Sequence, residues 1–296
     1  MTIGPQLSII IPAKNEELGL SRILPALRED YPNAEILIID DGSTDATADV
    51  VTQHGATVIS HLYSMGNGAA IKTGARAAAG EILLFMDADG QHKVEDIEKL
   101  LHKINMGYDM VVGARKSKTH ANFHRLVANT AFNRLASLMT GHKIQDLTSG
   151  FRAVRARHFK KFLYLLPNGF SYPTTSTMAF FRSGLAVAYV PISAQKRDGQ
   201  SHIKIIKDGL KFLVIILKIG ALFSPMRFFL PISLSLFTIA LAYYGYTYVN
   251  YHRFTNMSAV LFMSSLITFL IGIVSEQISS LHYKGVEEDQ RKTKRD

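Results

Sequence analysis

Three short stretches combine residue types that could do chemistry: Pro12-Ala13-Lys14-Asn15-Glu16-Glu17, Asp40-Asp41-Gly42-Ser43-Thr44-Asp45 and Asp87-Ala88-Asp89-Gly90-Gln91. Asp87 and Asp89 stand two apart on an extended end, so their side chains leave on the same side. With the amide oxygen of Gln91 they form a hard oxygen donor set. Such a set suits Mg²⁺ or Mn²⁺ bridging a diphosphate. Taken alone, Asp41 to Asp45 reads equally well as a turn and a helix cap. An EF-hand loop also matches Asp87, Asp89, Gln91 and Glu98, but it requires glycine at its sixth position and a helix before it. His92 stands at that position and a strand-like run precedes it, which excludes the match.

The elements that must position these residues are legible as short apolar runs. Leu7–Ile11, Glu35–Ile39, Thr57–Ser60, Ile82–Met86, Met110–Val112 and Val187–Val190 read as strands. Helical stretches fall at 16–29, 44–54, 69–79 and 94–105. Strands alternating with helices predict an α/β fold, a mostly parallel, Rossmann-like sheet with helices on both faces. In such sheets ligands bind at the carboxyl ends of the strands, where all three carboxylate stretches lie. Gly66-Asn67-Gly68 opens a helix that also carries Lys72. It lacks the third glycine of a dinucleotide loop, so it predicts at most a helix N-terminus near a phosphate.

Composition narrows the function. The 296 residues hold 33 Lys+Arg and 24 Asp+Glu, a net charge of +9, with 47% hydrophobic and 19% charged residues. That balance excludes a disordered chain and suits an anionic partner. There is no cysteine, which removes disulfides, cysteine zinc sites and cysteine catalysis. The start of the chain carries no basic n-region, and its first apolar run breaks at Pro12, so a signal peptide is not expected. A nucleic-acid partner would account for the charge but not for the carboxylate strand ends.

Two C-terminal runs, about 228–249 and 257–278, are each long enough to cross a bilayer of about 30 Å. A tyrosine cluster from Tyr243 to Tyr251 suits one interface, and Glu276 suits the other better than the bilayer centre. The tail after Tyr283 is rich in Lys and Arg, which places it in the cytoplasm. Two crossings then put the large N-terminal part there too. In 203–223, Lys204, Lys207, Lys211 and Lys218 share one side of a helix at about 100° per residue. A basic stripe on an apolar helix suits the surface of an anionic bilayer, and Pro225 is expected to end that helix. The organisation predicted is a catalytic domain over 1–202, an interfacial helix over 203–226, two spans over 227–283 and a basic tail over 284–296.

The three carboxylate motifs together resemble the family 2 glycosyltransferases with the GT-A fold. Val112-Gly113-Ala114-Arg115, Asp146-Leu147-Thr148-Ser149-Gly150-Phe151-Arg152 and Arg197-Asp198-Gly199-Gln200-Ser201 resemble its polyprenyl-phosphate branch, which includes dolichyl-phosphate mannose synthases. The two C-terminal spans are similar to those of the bacterial undecaprenyl-phosphate glucosyltransferase type. The resemblance implies a nucleotide pocket at Pro12, Ala13, Asn15, Glu16, Asp40, Asp41, Lys72 and Asp87. It implies a Mg²⁺ or Mn²⁺ ion on Asp89 and Gln91, and an acceptor phosphate near Arg115, Arg125, Asn129, Arg197 and Ser201. Asp89, Arg115 and Arg197 would carry the chemistry. Two departures stand out: His202 where the branch often has Lys, and Asn129 where the mannose synthases have Ser.

The implied reaction is an inverting transfer of a hexose from a nucleotide sugar, UDP-glucose first, to undecaprenyl or dolichyl phosphate. The product would be a β-linked lipid-phosphate sugar, made by a membrane-bound homo-oligomer, a tetramer by analogy. A lipid phosphate is already an anion and needs no general base. The leaving diphosphate needs charge stabilisation from metal and arginines. A processive polysaccharide synthase would need a Gln-x-x-Arg-Trp motif, and the chain has no Trp. A transferase acting on a lipid hydroxyl, which needs a positioned base, and an inactive assembly subunit remain as alternatives.

Overall fold

The computed structural model describes residues 6–115, 123–169, 171–192 and 224–293, with backbone alone at 123–129, 131 and 282–293. The elements run β1 (Leu7–Ala13), α1 (Glu17–Asp30), β2 (Glu35–Asp40), α2 (Thr47–Gln53), β3 (Thr57–Ser60), α3 (Asn67–Ala77), β4 (Ile82–Phe85), α4 (Glu95–Asn105), β5 (Met110–Arg115) and α5 (Phe123–Thr140). There follow β6 (Arg152–Arg155), α6 (Ala156–Phe159), a 3₁₀ turn (Lys160–Leu165), α7 (Tyr172–Arg182), β7 (Val187–Ile192), α8 (Pro225–Tyr251) and α9 (Asn256–Thr293). They form two compact units, Met1–Arg134 with Lys143–Ile203, and Leu135–His142 with Lys204–Asp296.

The first unit is built on a seven-stranded sheet of order β3-β2-β1-β4-β6-β5-β7. β6 runs antiparallel to both its neighbours and every other pairing is parallel. The central strands β1, β2 and β4 read as near-continuous apolar runs because they are buried on both faces: Ile9, Ile10 and Ile11 are fully buried, as are Ile38 and Ile39. On one face Leu20, Leu24 and Leu27 of α1 and Ile97, Leu100 and Ile104 of α4 pack on Ile9, Ile11, Ile38 and Leu84. On the other face α3 lies so close that a Cβ on Gly74 would sit 2.4 Å from Ile10.

Sequence reading finds six of the seven strands and misses β6. Its four residues, Arg-Ala-Val-Arg, look like solvent-facing polar sequence, yet Arg152 is fully buried. Sequence reading also passes over α5, α6 and α7. The interfacial helix expected over 203–223 lies outside the described residues.

The second unit contains two helices long and apolar enough to cross a membrane, Pro225–Tyr251 and Asn256–Leu281. Both extend beyond the predicted spans. Pro225 opens α8 at its first turn, where a missing N–H costs nothing. The two helices meet along small side chains spaced by seven: Ser233, Ala240 and Thr247 on α8 are buried, as are Ser258, Ser265 and Ser279 on α9. Gly272 fills the gap in the second series, and a Cβ there already meets the Phe229 Cβ at 2.8 Å. Close approach of backbones through small residues is how helices associate where lipid removes the hydrophobic drive. Ser233 Oγ donates to the Ser265 carbonyl at 3.0 Å, and Ser265 Oγ returns the bond to the Ser233 carbonyl at 2.9 Å. At the base of the hairpin, the Met226 N–H donates to Glu276. Ser224 donates to the Met139 carbonyl, and Arg227 to the carbonyls of Leu138 and Met139. Gly272→Leu is expected to wedge the helices apart at a cost of about 1–3 kcal/mol. A lower thermal midpoint in detergent, with Leu270→Ile as the lipid-facing control, checks this.

Candidate active site

The loops after β1 and β2 hold each other. Asn15 takes a left-handed backbone (φ +55°), and its side chain accepts from the Thr44 N–H at 2.8 Å, while its own N–H donates to Ser43 Oγ at 2.9 Å. The Glu16 N–H donates to Thr47 Oγ1 and the Ala46 N–H to Glu17. Asp40 accepts from the Ser43 N–H at 2.8 Å, and the Asp41 N–H donates to the Ala13 carbonyl. Pro12, Ala13 and Asp40 therefore sit on a rigid double turn at the carboxyl ends of β1 and β2.

Asp41 is the anchor of the next loop. One of its oxygens accepts from His61 Nδ1 at 2.8 Å and the Met65 N–H at 2.7 Å. The other accepts from Ser64 Oγ at 2.7 Å and the Gly66 N–H at 2.9 Å. A carboxylate has about four acceptor sites, and these four donors fill them. Thr73 holds the far side of the His61 ring at 3.0 Å. Burial pushes the Asp41 carboxyl up, but donation from His61, Ser64 and the two backbone N–H groups outweighs it and leaves the pKa below the ordinary value.

The helix N-terminus at Gly66 departs from the expectation of a phosphate site. The Gly68 and Ala69 N–H groups already donate to the carbonyls of Gly169 and Asn168. A Cβ on Gly68 would fall 2.0 Å from the Pro167 carbonyl oxygen, so the glycines are there to let the 167–169 loop lie on α3. Lys72 donates from the same helix to Leu166 O and to the Asn168 side chain. In this structure it braces that loop.

The metal-type motif follows β4. The Gln91 N–H donates to Asp89 Oδ1 at 3.1 Å, closing a tight turn with Gly90 at φ +70°. Asp87 lies deeper. A Cβ on Gly150 would sit 3.0 Å from one Asp87 oxygen and 3.1 Å from the other, so any larger residue would crowd the carboxylate. His92 stacks on Phe151 with ring centroids 4.8 Å apart, and its Nδ1 accepts the Asp87 N–H at 3.3 Å. Burial raises the Asp87 carboxyl, reinforced by Asp89 and opposed by His92, Arg115 and Arg152. Burial also lowers His92, in keeping with a neutral ring whose Nδ1 is an acceptor. Among the described residues no cluster of three or more His, Asp or Glu side chains forms a metal cage. Two carboxylates and an amide fit an ion whose shell is completed by substrate phosphates and water.

Across the site, Arg115 at the end of β5 is gripped by Asp146, Nε to Oδ2 at 2.8 Å and Nη2 to Oδ1 at 3.0 Å, with Thr148 Oγ1 at 2.7 Å. Asp146 also accepts from the Thr148 and Ser149 N–H groups. Burial pushes the Asp146 carboxyl up, and the Arg115 hydrogen bonds and charge pull it below the ordinary value. Behind this turn, buried Arg152 donates to the carbonyls of Ser149 and Pro173 and to the hydroxyls of Ser176 and Thr177. The Tyr172 hydroxyl donates to the Gly150 carbonyl, and the Arg152 guanidinium lies over its ring.

The structure thus brings Pro12, Ala13, Asn15, Glu16, Asp40 and Asp41 together on one pair of loops, and Asp87, Asp89, Gln91 and Arg115 on another. Arg197, Ser201 and the side chains of Arg125 and Asn129 lie outside the described residues. Sequence reasoning assigned no role to Asp146, His61, His92 or Arg152. Asp146 and Arg152 were visible inside a quoted motif, whereas nothing local marks His61.

Comparison with known proteins decides the family. The glycosyl transferase family 2 model matches residues 8–163, more than half the chain. This chain belongs to glycosyl transferase family 2. A second model, the GtrB C-terminal hairpin, matches 224–281, the segment of α8 and α9. The glycosyltransferase is similar to glycosyltransferase AglJ of Haloferax volcanii, 27% identical over 93% of this chain and 94% of that one. It is 30% identical to a dolichyl-phosphate hexose transferase of the same organism, over 67% of this chain and 86% of the other. It is 28% identical to the polyprenol monophosphomannose synthase of Mycolicibacterium smegmatis, over 64% and 77%. Its fold resembles glucosyl-3-phosphoglycerate synthase from Mycobacterium tuberculosis, with a TM-score of 0.60, 20% identity and coverage of 73% and 80%. The same synthase in complex with Mn²⁺ and UDP-glucose matches with a TM-score of 0.57 at 20% identity, over 72% and 79%.

Because the Asp41 and Asp146 pKa values are depressed, the stability these groups confer is full above about pH 4 and drains as pH falls through their folded values. Asp41→Asn is expected to lose about 1–3 kcal/mol at pH 7, since Gly66 or Met65 then faces an NH₂ donor. It should also show a shallower fall in thermal midpoint between about pH 5 and pH 3 than the parent. Thermal scans across that range in detergent check both.

Proposed function

We propose that this glycosyltransferase transfers a hexose from a nucleoside-diphosphate sugar, UDP-glucose first, to a polyprenyl phosphate such as undecaprenyl or dolichyl phosphate. The transfer inverts the anomeric centre in one step and gives a β-linked lipid-phosphate sugar. The observation that carries this reading is that the Asp87-to-Gln91 turn and Arg115 lie at the carboxyl ends of β4 and β5, the two strands that flank β6. One element suits a diphosphate-bound cation and the other a second phosphate. Relatives named for dolichyl phosphate and polyprenol support the acceptor, and a fold neighbour bound to Mn²⁺ and UDP-glucose supports the donor. The helical hairpin supports a membrane location, with both termini on the cytoplasmic side by the basic tail.

Pro12, Ala13, Glu16 and Asp40 would line the nucleotide, with Asn15, Asp41 and Lys72 fixing the walls. Asp87 would lie beside the ribose, and Asp89 and Gln91 would hold Mg²⁺ or Mn²⁺. When bound, that ion supplies positive charge to the departing diphosphate. Arg115, already oriented by Asp146, presents a guanidinium to phosphate oxygens, a geometry lysine cannot copy. Arg125, Asn129, Arg197 and Ser201 would complete the acceptor site. The attacking lipid phosphate is anionic at neutral pH, so no side chain need remove a proton.

The test is transfer of label from a panel of nucleotide sugars into the lipid phase, using purified full chain in detergent with undecaprenyl phosphate and Mn²⁺. Label is expected with one donor, abolished by EDTA and reduced about 100-fold or more in Asp89→Ala. An α-linked product would overturn the inverting step. Transfer only to a lipid hydroxyl would overturn the acceptor.

A further inference from the structure

We propose that Arg152 is a positioning residue that sets the electrostatic field of the donor site without touching it: a sealed guanidinium whose positive charge is left for the diphosphate. The inference rests on the proposed metal and nucleotide site. Arg152 is fully buried, and among the described residues no carboxylate lies within ion-pairing distance of it. Every hydrogen bond it makes goes to a neutral acceptor: the carbonyls of Ser149 and Pro173 and the hydroxyls of Ser176 and Thr177. Its Nε has no hydrogen-bond partner among the described residues. Buried charges are ordinarily paired or neutralised, and guanidinium stays protonated under almost any condition. This side chain therefore keeps a whole positive charge in the interior.

Its placement says where that charge acts. Arg152 is paired with Phe85 of β4 on one side and Val112 of β5 on the other. Phe85 lies two residues before Asp87, and Gly150, two before Arg152, cradles the Asp87 carboxylate. Two arginines act on the Asp87 carboxylate; Arg115 is bound to Asp146, whereas Arg152 has no carboxylate partner among the described residues. Because Arg152 is itself shut off from solvent, salt screens its field less than it screens a surface charge. That field would weaken the hold of the two carboxylates on a cation taken alone and strengthen the hold of the site on an anionic diphosphate.

That gives the two ligands opposite signs, which structural damage would not. The experiment measures binding of Mn²⁺ alone and of UDP in EDTA to the detergent-solubilised full chain, for wild type, Arg152→Gln and Arg152→Lys. Arg152→Gln keeps hydrogen-bond donors and removes the charge. It is expected to bind Mn²⁺ about threefold or more tighter and UDP about threefold or more weaker. Arg152→Lys keeps the charge and loses the fork, so both affinities should stay within about threefold of wild type. Weaker binding of both ligands by Arg152→Gln, or no change in either, overturns the proposal. Should Arg152→Gln not fold, the lysine variant decides: loss of UDP affinity with its charge intact overturns the proposal, and retention supports it. A wild type that binds neither ligand overturns the metal and nucleotide reading itself, and is thereby distinguished from failure of the inference.

Discussion

A carboxylate resting against a bare Cα governs the centre of this enzyme. Asp87 can hold its place because Gly150 has no side chain to crowd it. Everything nearby secures that contact. Tyr172 holds the Gly150 carbonyl, Phe151 stacks on His92, and His92 holds the Asp87 backbone. An added methyl group at 150 would meet both carboxylate oxygens at 3.0–3.1 Å and push the acid aside by a few tenths of an ångström. The antiparallel strand β6 exists at this position in the sheet to deliver that one stretch of chain to the end of β4.

The loops after β1 and β2 follow a different logic. There the acidic residues of the first two motifs spend their hydrogen-bonding capacity on loops. Asn15 and Glu17 stitch the first loop to the second, and Asp41 stitches the second to the loop before α3. The result is a pair of loops braced against each other without any ligand, and a binding edge held in shape in advance avoids the cost of ordering it.

The sheet and its ligand edge were legible because buried parallel strands are apolar on both faces and their carboxyl ends carry Asp. β6 was illegible because a short strand with an arginine at each end has no hydrophobic period. The roles of Asp41 and Lys72 were only half legible: a sequence marks a polar residue near a site but not whether its side chain faces ligand or protein. The Gly66-Asn67-Gly68 turn shows the same limit. Glycines that admit a phosphate and glycines that admit another loop are spelled alike, and only the carbonyls of Pro167, Asn168 and Gly169 distinguish them.

The seven-residue repeat of small side chains in α8 and α9 divides the hairpin into two kinds of position. Side chains facing outward, such as Leu234, Leu241 and Leu270, are free to drift among apolar types. The seam is instead bound to a fixed count: deleting a single residue within either helix turns everything beyond it by about 100° and sets leucines where serines met. Evolution of this anchor is therefore tolerant of composition and intolerant of length, so relatives should differ freely in its letters while keeping its spacing.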